Sequence, residues 1–334
     1  MSLDLEFDDA QLAIAEALGQ FCAERCSEEA VKSGSGAFPR ELWGELAELG
    51  VLAIATPEGE GGALELTAAM EALGRGVFPG PLVASFLATQ VLPAAERSAV
   101  ADGRRVAAVG EGALVPWAAC ADLFLLVEGE RIWRARVAGE IEEVGTLGGE
   151  PWGRCRLVPE EELAGAPRAL ALADVARAAY LAAAGHALVA AASDHAGARR
   201  QFGRAIGEFQ AVAHPLADCH IRLAAATTLA RNAACRFDDN SDDNNNSDDN
   251  NNSDNNNEDA RPMAAAARLS AGSAALEAAY VCHQVFGAVG ITLEGPAFHI
   301  SRRIRQLVSQ PPGEGPGRER LLGYFGVSEP GVVA

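Results

Sequence analysis

From Ala169 to Ala192 the chain reads "ALALADVARAAYLAAAGHALVAAA", apolar and mostly alanine except for Asp174, Arg177 and His186. A run this long and this apolar is either a membrane span or a helix packed on every side. Three ionisable residues inside it favour the second reading, a core helix. Alanine at most positions then requires neighbouring helices to come close, so the rest of the chain has to supply them.

It does. From Asp8 to about Glu96 apolar residues recur every three or four positions, as in Leu12, Ala15, Leu18 and Cys22, then Leu42, Leu46 and Leu49, which predicts helices. Pro39 suits the first turn of "ELWGELAELG" and Gly50 its stop, and another helix is expected from Leu64 to about Gly74. Between about Arg104 and Pro159 the pattern changes to short β-prone runs, "RVAAVG", "DLFLLVEGERIWRARV" and "GRCRLVP", broken by glycines. These predict a small strand-rich domain with a hairpin turning at Glu128 to Glu130 and Trp133 on its second strand. Helical periodicity returns at about Leu163 and persists to about Val308. The expected domains are an N-terminal helical domain over 1–100, a shortened β domain over 101–163 and a C-terminal helical bundle over 164–334.

Composition narrows the function. Net charge is −19, and the stretch 238–259, with nine acids and no Lys or Arg, leaves −10 for the remainder; nucleic acid is excluded as a main partner. That stretch repeats "SDDNNN" with a six-residue period and no apolar side chain, so a mobile insertion is expected. It lacks the glycine and spaced glutamate of a calcium loop. Seven cysteines without CxxC spacing argue against a disulfide framework or zinc site and fit a reducing cytosol; Cys22 and Cys26, one turn apart, read as core residues. "MSLDLEFDDAQ" has no basic and apolar leader pattern. The glycine-rich "TPEGEGGA", Thr56 to Ala63, has no GKS or GxGxxG beside it, and so gives no phosphate-binding signature.

The order of helices, small β domain and helical bundle carries four motifs: "AELGVLAIATPEGEGG" with "EALGRG", then "RRQFGRAIGEFQAVAHPLAD", "QVFGAVG" and "FHISRRIRQL". Together they resemble the acyl-CoA dehydrogenase family, with its R-x-x-F-G element (Arg199 to Gly203), its F-Q pair (Phe209 and Gln210) and its Q-x-x-G-G-x-G element (Gln284 to Gly290). The resemblance implies a mostly α fold with a small middle β domain and a C-terminal four-helix bundle. It also implies FAD as cofactor and α,β-dehydrogenation of an acyl-CoA, with an electron-transfer flavoprotein as usual acceptor. In that arrangement each FAD lies between subunits. Arg199 would grip the pyrophosphate of a neighbour's FAD, Phe202 would pack near the nucleotide, and Gln210, Gln284, Gly287 and Ala288 would line it.

The resemblance breaks at the other half of the site. The family's x-T-E-P-x-x-G-S-D loop and W-I-T-like strand, which hold the flavin ring, are missing between "RVAAVGEGALVP" and "WAACADLFLLVEGE". The catalytic glutamate is missing as well. In one register its position falls on Pro311, with Glu314 three residues late. In the other it falls on Ala173, with Asp174 next to it but turned about 100° around the helix. His195 and His214 have no nucleophile placed by any motif and read as structural. Half a flavin site without a base resembles the non-catalytic subunit of heteromeric, steroid-degrading actinobacterial members, whose partner is a homologous catalytic subunit. Two alternatives stay open: a self-sufficient homo-oligomeric dehydrogenase using Asp174 or Glu314, and a redox-dead acyl-CoA-binding or scaffold protein.

Overall fold

The computed structural model describes residues 5–26, 38–146, 149–246, 253–293 and 295–327. Helix α1 (Asp9–Arg25) opens with a capping box: Asp8 Oδ1 accepts from the Gln11 amide at 2.9 Å, and Gln11 Oε1 accepts from the Asp8 amide at 3.1 Å. Helices α2 (Arg40–Glu48), α3 (Ala63–Arg75), α4 (Leu82–Val91) and α5 (Ala94–Ala101) complete the N-terminal block. Gly50, at φ 75°, ends α2 where the sequence predicts its stop. Leu12 and Leu49 depart from the periodic reading, since each is 52% exposed. Gln11 is buried in α1 instead, tied across to Glu65 of α3 at 3.0 Å.

Strands β1 (Ala107–Gly110), β2 (Leu114–Pro116), β3 (Leu123–Glu128), β4 (Arg131–Val144) and β5 (Trp152–Leu163) form one mixed sheet in the order β1-β3-β4-β5-β2. β1 runs parallel to β3, and the other pairs are antiparallel. The β3–β4 hairpin turns at Gly129, φ 63°. Three residues, 111–113, join β1 to β2.

Helices α6 (Ala166–Ala198), α7 (Gln210–Asn246), α8 (Ser253–Phe286), α9 (Pro296–Ser309) and α10 (Gly315–Tyr324) build the C-terminal block. α6 is its axis, with every residue from Ala169 to Gly185 buried against α3, α7, α8 and α9. The small side chains demanded by the opening argument are matched by Gly74 of α3: a Cβ there would stand 2.4 Å from the Tyr180 carbonyl oxygen. By length and apolar content α6 could cross a bilayer, but 78% of its most apolar window is buried inside the protein.

The Asn/Asp stretch corrects the sequence expectation of a mobile insertion over 238–259. α7 continues to Asn246 and α8 begins at Ser253; residues 247–252 lie outside the described ones. Two helices already nucleated by packing extend at one hydrogen bond per added residue, a gain that a count of buried surface omits. Asp238 is itself part of the fold. Its carboxylate accepts from the Ala63 and Leu64 amides at 2.7 and 2.9 Å, capping α3 from α7 next to Gly62.

A buried polar network joins the two helical blocks to the sheet. Arg303 of α9 donates to Glu150 on the approach to β5, to the Gly80 carbonyl at 2.8 Å and to the Tyr180 hydroxyl at 3.2 Å. Tyr180 donates in turn to the Phe78 carbonyl at 2.8 Å, and Gln310 Nε2 to Glu150 at 2.7 Å. Burial lowers the Arg303 pKa to about 9, so it remains cationic at neutral pH.

Two stability measurements follow. Breaking the pair with Glu150→Leu leaves a charged, unpaired guanidinium and is expected to lower the urea-unfolding free energy by about 3–5 kcal/mol, while Glu150→Leu with Arg303→Met recovers most of it. Asp238→Ala is expected to cost about 1 kcal/mol through the lost cap, read from the same denaturation midpoint.

Candidate functional site

α6 stops because Arg199 turns extended, at φ −73°, ψ 122°. The chain then makes a minimal hairpin, β6 (Arg200–Gln201) and β7 (Arg204–Ala205), closed by Ile206 N donating to the Arg199 carbonyl at 2.8 Å. Its tip residues Phe202 and Gly203 have φ 53° and 82°, the positive values that two-residue hairpin loops require. Glycine accepts this without penalty. A phenylalanine there costs about 1 kcal/mol, and Phe202 is also 91% exposed.

Behind the tip, the Phe209 ring lies 6.2 Å from the Phe202 ring, and the Arg204 guanidinium stacks over Phe209 at 3.9 Å from its centroid. Arg199 and Arg200 are exposed and make no side-chain hydrogen bond or ion pair among the described residues. Uncommitted guanidiniums in a chain of net charge −19 are suited to a phosphate-bearing ligand. Gln210 begins α7 at the base of the hairpin, also exposed.

The second cluster lies at the end of α8. Gln284 is exposed in its last turn, Gly287 takes φ 62° and Ala288 is exposed beyond it. The two clusters meet where the His195 ring rests 4.8 Å from the ring of Phe286. His195 is therefore a packing residue at this junction, and His214 is exposed on α7. The structure thus brings Arg199, Phe202, Gln210, Gln284, Gly287 and Ala288 to one end of the bundle.

The two acids singled out as candidate bases lie elsewhere and are differently engaged. Asp174 is buried, and Arg268 of α8 donates to its Oδ1 at 2.7 Å. Arg268 also donates to the Pro312 carbonyl at 2.5 Å. Arg177, one turn along α6, donates to the carbonyls of Gln310, Pro311 and Pro312 at 2.7, 2.8 and 3.1 Å. Burial, and then the charge on Arg268, pushes the Arg177 pKa down; three carbonyl dipoles compensate its charge. From the far side the Gly313 amide donates to Glu111 at 2.7 Å, in the short β1–β2 connection. Glu314 is exposed at the N-cap position of α10.

Sequence reasoning missed this arrangement. Asp174 and Arg268 are 94 positions apart, and the one signal was a pair of opposite charges, Asp174 and Arg177, inside an alanine helix. As to the flavin that the resemblance implies, the free arginines and open backbone of the first two clusters fit a pyrophosphate. The sheet does not fit the ring in the same way, because 111–113 is too short for the missing loop.

Comparison with known proteins agrees with this geometry. Residues 8–99 match the family described as the acyl-CoA dehydrogenase N-terminal domain, and residues 164–318 match the acyl-CoA dehydrogenase C-terminal domain. Acyl-CoA dehydrogenase IpdE2 of Mycobacterium tuberculosis is 27% identical over 241 residues, covering 66% of this chain and 74% of its own. Among solved structures, the Tcur3481-Tcur3483 steroid ACAD G363A variant is similar with a TM-score of 0.77 at 22% identity, covering 95% of this chain and 98% of the other. The ChsE4-ChsE5 complex from Mycobacterium tuberculosis gives the same TM-score and identity over 98% and 100%. PigA with FAD and proline reaches 0.79 at 17% identity over 97% and 100%. With both family domains matched on either side of the small sheet, this chain belongs to the acyl-CoA dehydrogenase family.

Proposed function

We propose that this chain is a subunit of a heteromeric, FAD-dependent acyl-CoA dehydrogenase, and that it completes a partner's flavin site rather than supplying the catalytic base. The observation that carries this reading is the arrangement at Pro311. The family's base position holds a proline whose carbonyl is bound by Arg177, and the neighbouring carboxylate, Asp174, is already neutralised by Arg268. A base must be free to accept a proton from substrate. Asp174 has no such freedom, and Glu314 sits on the outside of the bundle.

The flavin, when bound, would accept a hydride from the acyl β-carbon. This chain's share is positioning: Arg199 as a fork on the pyrophosphate oxygens, Phe202 against the nucleotide, and the Gln284, Gly287 and Ala288 segment as backbone close to it. Support for a second subunit also comes from the surface. Tyr280, Val289, Ile291 and Leu293 are 65%, 48%, 73% and 60% exposed, an apolar strip beside Gln284 of the kind that subunit contacts cover. Two of the similar structures are a two-component complex and a two-component steroid enzyme, which supports a homologous partner and a bulky, steroid-derived acyl-CoA as substrate. An electron-transfer flavoprotein as acceptor and a cytosolic location belong to the same reading.

The visible spectrum tests it. Purified alone, the chain is expected to be colourless, and co-purified with a homologous catalytic subunit it is expected to be yellow. A yellow, active protein from this chain alone would mean a self-sufficient enzyme, and a colourless protein that no homologue turns yellow would mean a scaffold. In the complex, Arg199→Ala is expected to lower flavin retention at least tenfold, about the effect of one charge-assisted phosphate contact; unchanged flavin content would sink Arg199's assigned role. Asp174→Asn is expected to destabilise the fold by about 3 kcal/mol while the folded complex keeps its turnover number, whereas Glu314→Gln should change neither.

A further inference from the structure

Between the small sheet and α9 lies a cavity of about 570 Å³, in the size range of small-molecule sites. Its walls include Trp152 of β5 and Phe298, Ser301, Arg302, Arg305 and Gln306 of α9, and no acidic residue among the described ones. Ser301 and Gln306 are 2% and 8% exposed, yet Ser301 Oγ and Gln306 Nε2 have no hydrogen-bond partner, and neither does the buried Trp152 Nε1. An unpaired buried polar atom costs about 1–3 kcal/mol, and native proteins rarely leave several together. Here four converge on one space, the fourth being Nδ1 of His283, donor or acceptor according to its tautomer. Trp152 Nε1 and Gln306 Nε2 can only donate, and the Ser301 hydroxyl can donate as well. Arg305 at the rim makes no ion pair among the described residues.

Several unmet donors with the Arg305 guanidinium, around a space otherwise walled by Leu114, Val144, Ile291 and Phe298, specify a ligand with an acceptor-rich anionic head and a hydrocarbon or aromatic body. We propose that this cavity binds an organic monoacid of that kind, with its acid group held by Arg305, Ser301 and Gln306 and its body against Trp152 and Phe298. Such a ligand would satisfy the orphaned donors that the chain's own residues leave unmet. None of the residues assigned to flavin lines it, but Ile291 at its wall also belongs to the apolar strip assigned to the subunit contact, so binding is tested on the chain without a partner.

The test uses the full-length chain and 2-naphthoate as probe, with binding followed by calorimetry and by quenching of tryptophan fluorescence. The expected result is saturable binding, weakened at least tenfold by Arg305→Gln and by Gln306→Leu, and unaffected by Arg104→Gln, a residue that pairs with Asp102 and does not line the cavity. The neutral analogue 2-naphthalenemethanol is expected to bind at least tenfold more weakly. Arg305 is exposed, so its variant keeps the fold, and Gln306→Leu conserves buried volume. No binding of 2-naphthoate up to about 1 mM, equal binding of the neutral analogue, or affinity indifferent to both variants would each overturn the proposal. Displacement of the probe by riboflavin as readily as by unlabelled naphthoate would overturn it too, since a neutral flavin ring would then be a sufficient occupant.

Discussion

The Arg303–Glu150 contact is where the three parts of the molecule are made into one. Each charge is nearly inaccessible to water, so neither can be left alone, and satisfying them fixes the positions of Gly80 in the N-terminal block, Tyr180 in the core helix and Gln310 beyond α9. Hydrophobic burial holds each block together but says little about how one block is oriented on another. A charge with five donor hydrogens in a fixed plane restricts that orientation much more tightly. Gln310 carries the restriction onward, since its side chain meets Glu150 while its carbonyl meets Arg177. The network therefore extends without a break from the sheet to the loop where a catalytic residue would be sought.

That continuity explains why the candidate active-site region and the stability of the fold cannot be separated here. Arg177, Arg268, Asp174 and the carbonyls of 310–312 form a connected set of partners. In a working dehydrogenase a carboxylate has to be held near a substrate with its lone pairs available. In this chain the buried carboxylate Asp174 is taken up by Arg268, while Arg199 and Phe202 lie exposed at the opposite end of α6.

The sequence disclosed what depends on local periodicity. Helices, the switch to strands and the Gly129 turn were all readable because each rests on residues a few positions apart. "RRQFG" was readable as a motif of the resemblance, and its junction with "QVFGAVG" through His195 and Phe286 became visible in three dimensions. Long-range pairing was not readable. Asp174 looked like a displaced base because its partner Arg268 is 94 residues away, and Asp238 looked like the start of a solvated tract because the helix it caps begins 175 residues earlier. The cavity under α9 was invisible for the same reason, since β5 and α9 are joined by the whole bundle. Composition misled in one place: asparagine and aspartate argue against burial, but burial is not the only way a helix already under way is sustained.

Phe202 also bears on supply. Its ring is wetted on nearly all sides and rides on a backbone angle that resists it. Under the two-subunit reading proposed above, copies of this polypeptide in excess over a partner would present identical sticky knobs to one another at rising concentration, favouring clumping over assembly. A cell making such a complex would then gain from matched synthesis of both chains, so that the ring is covered soon after the helix behind it has formed.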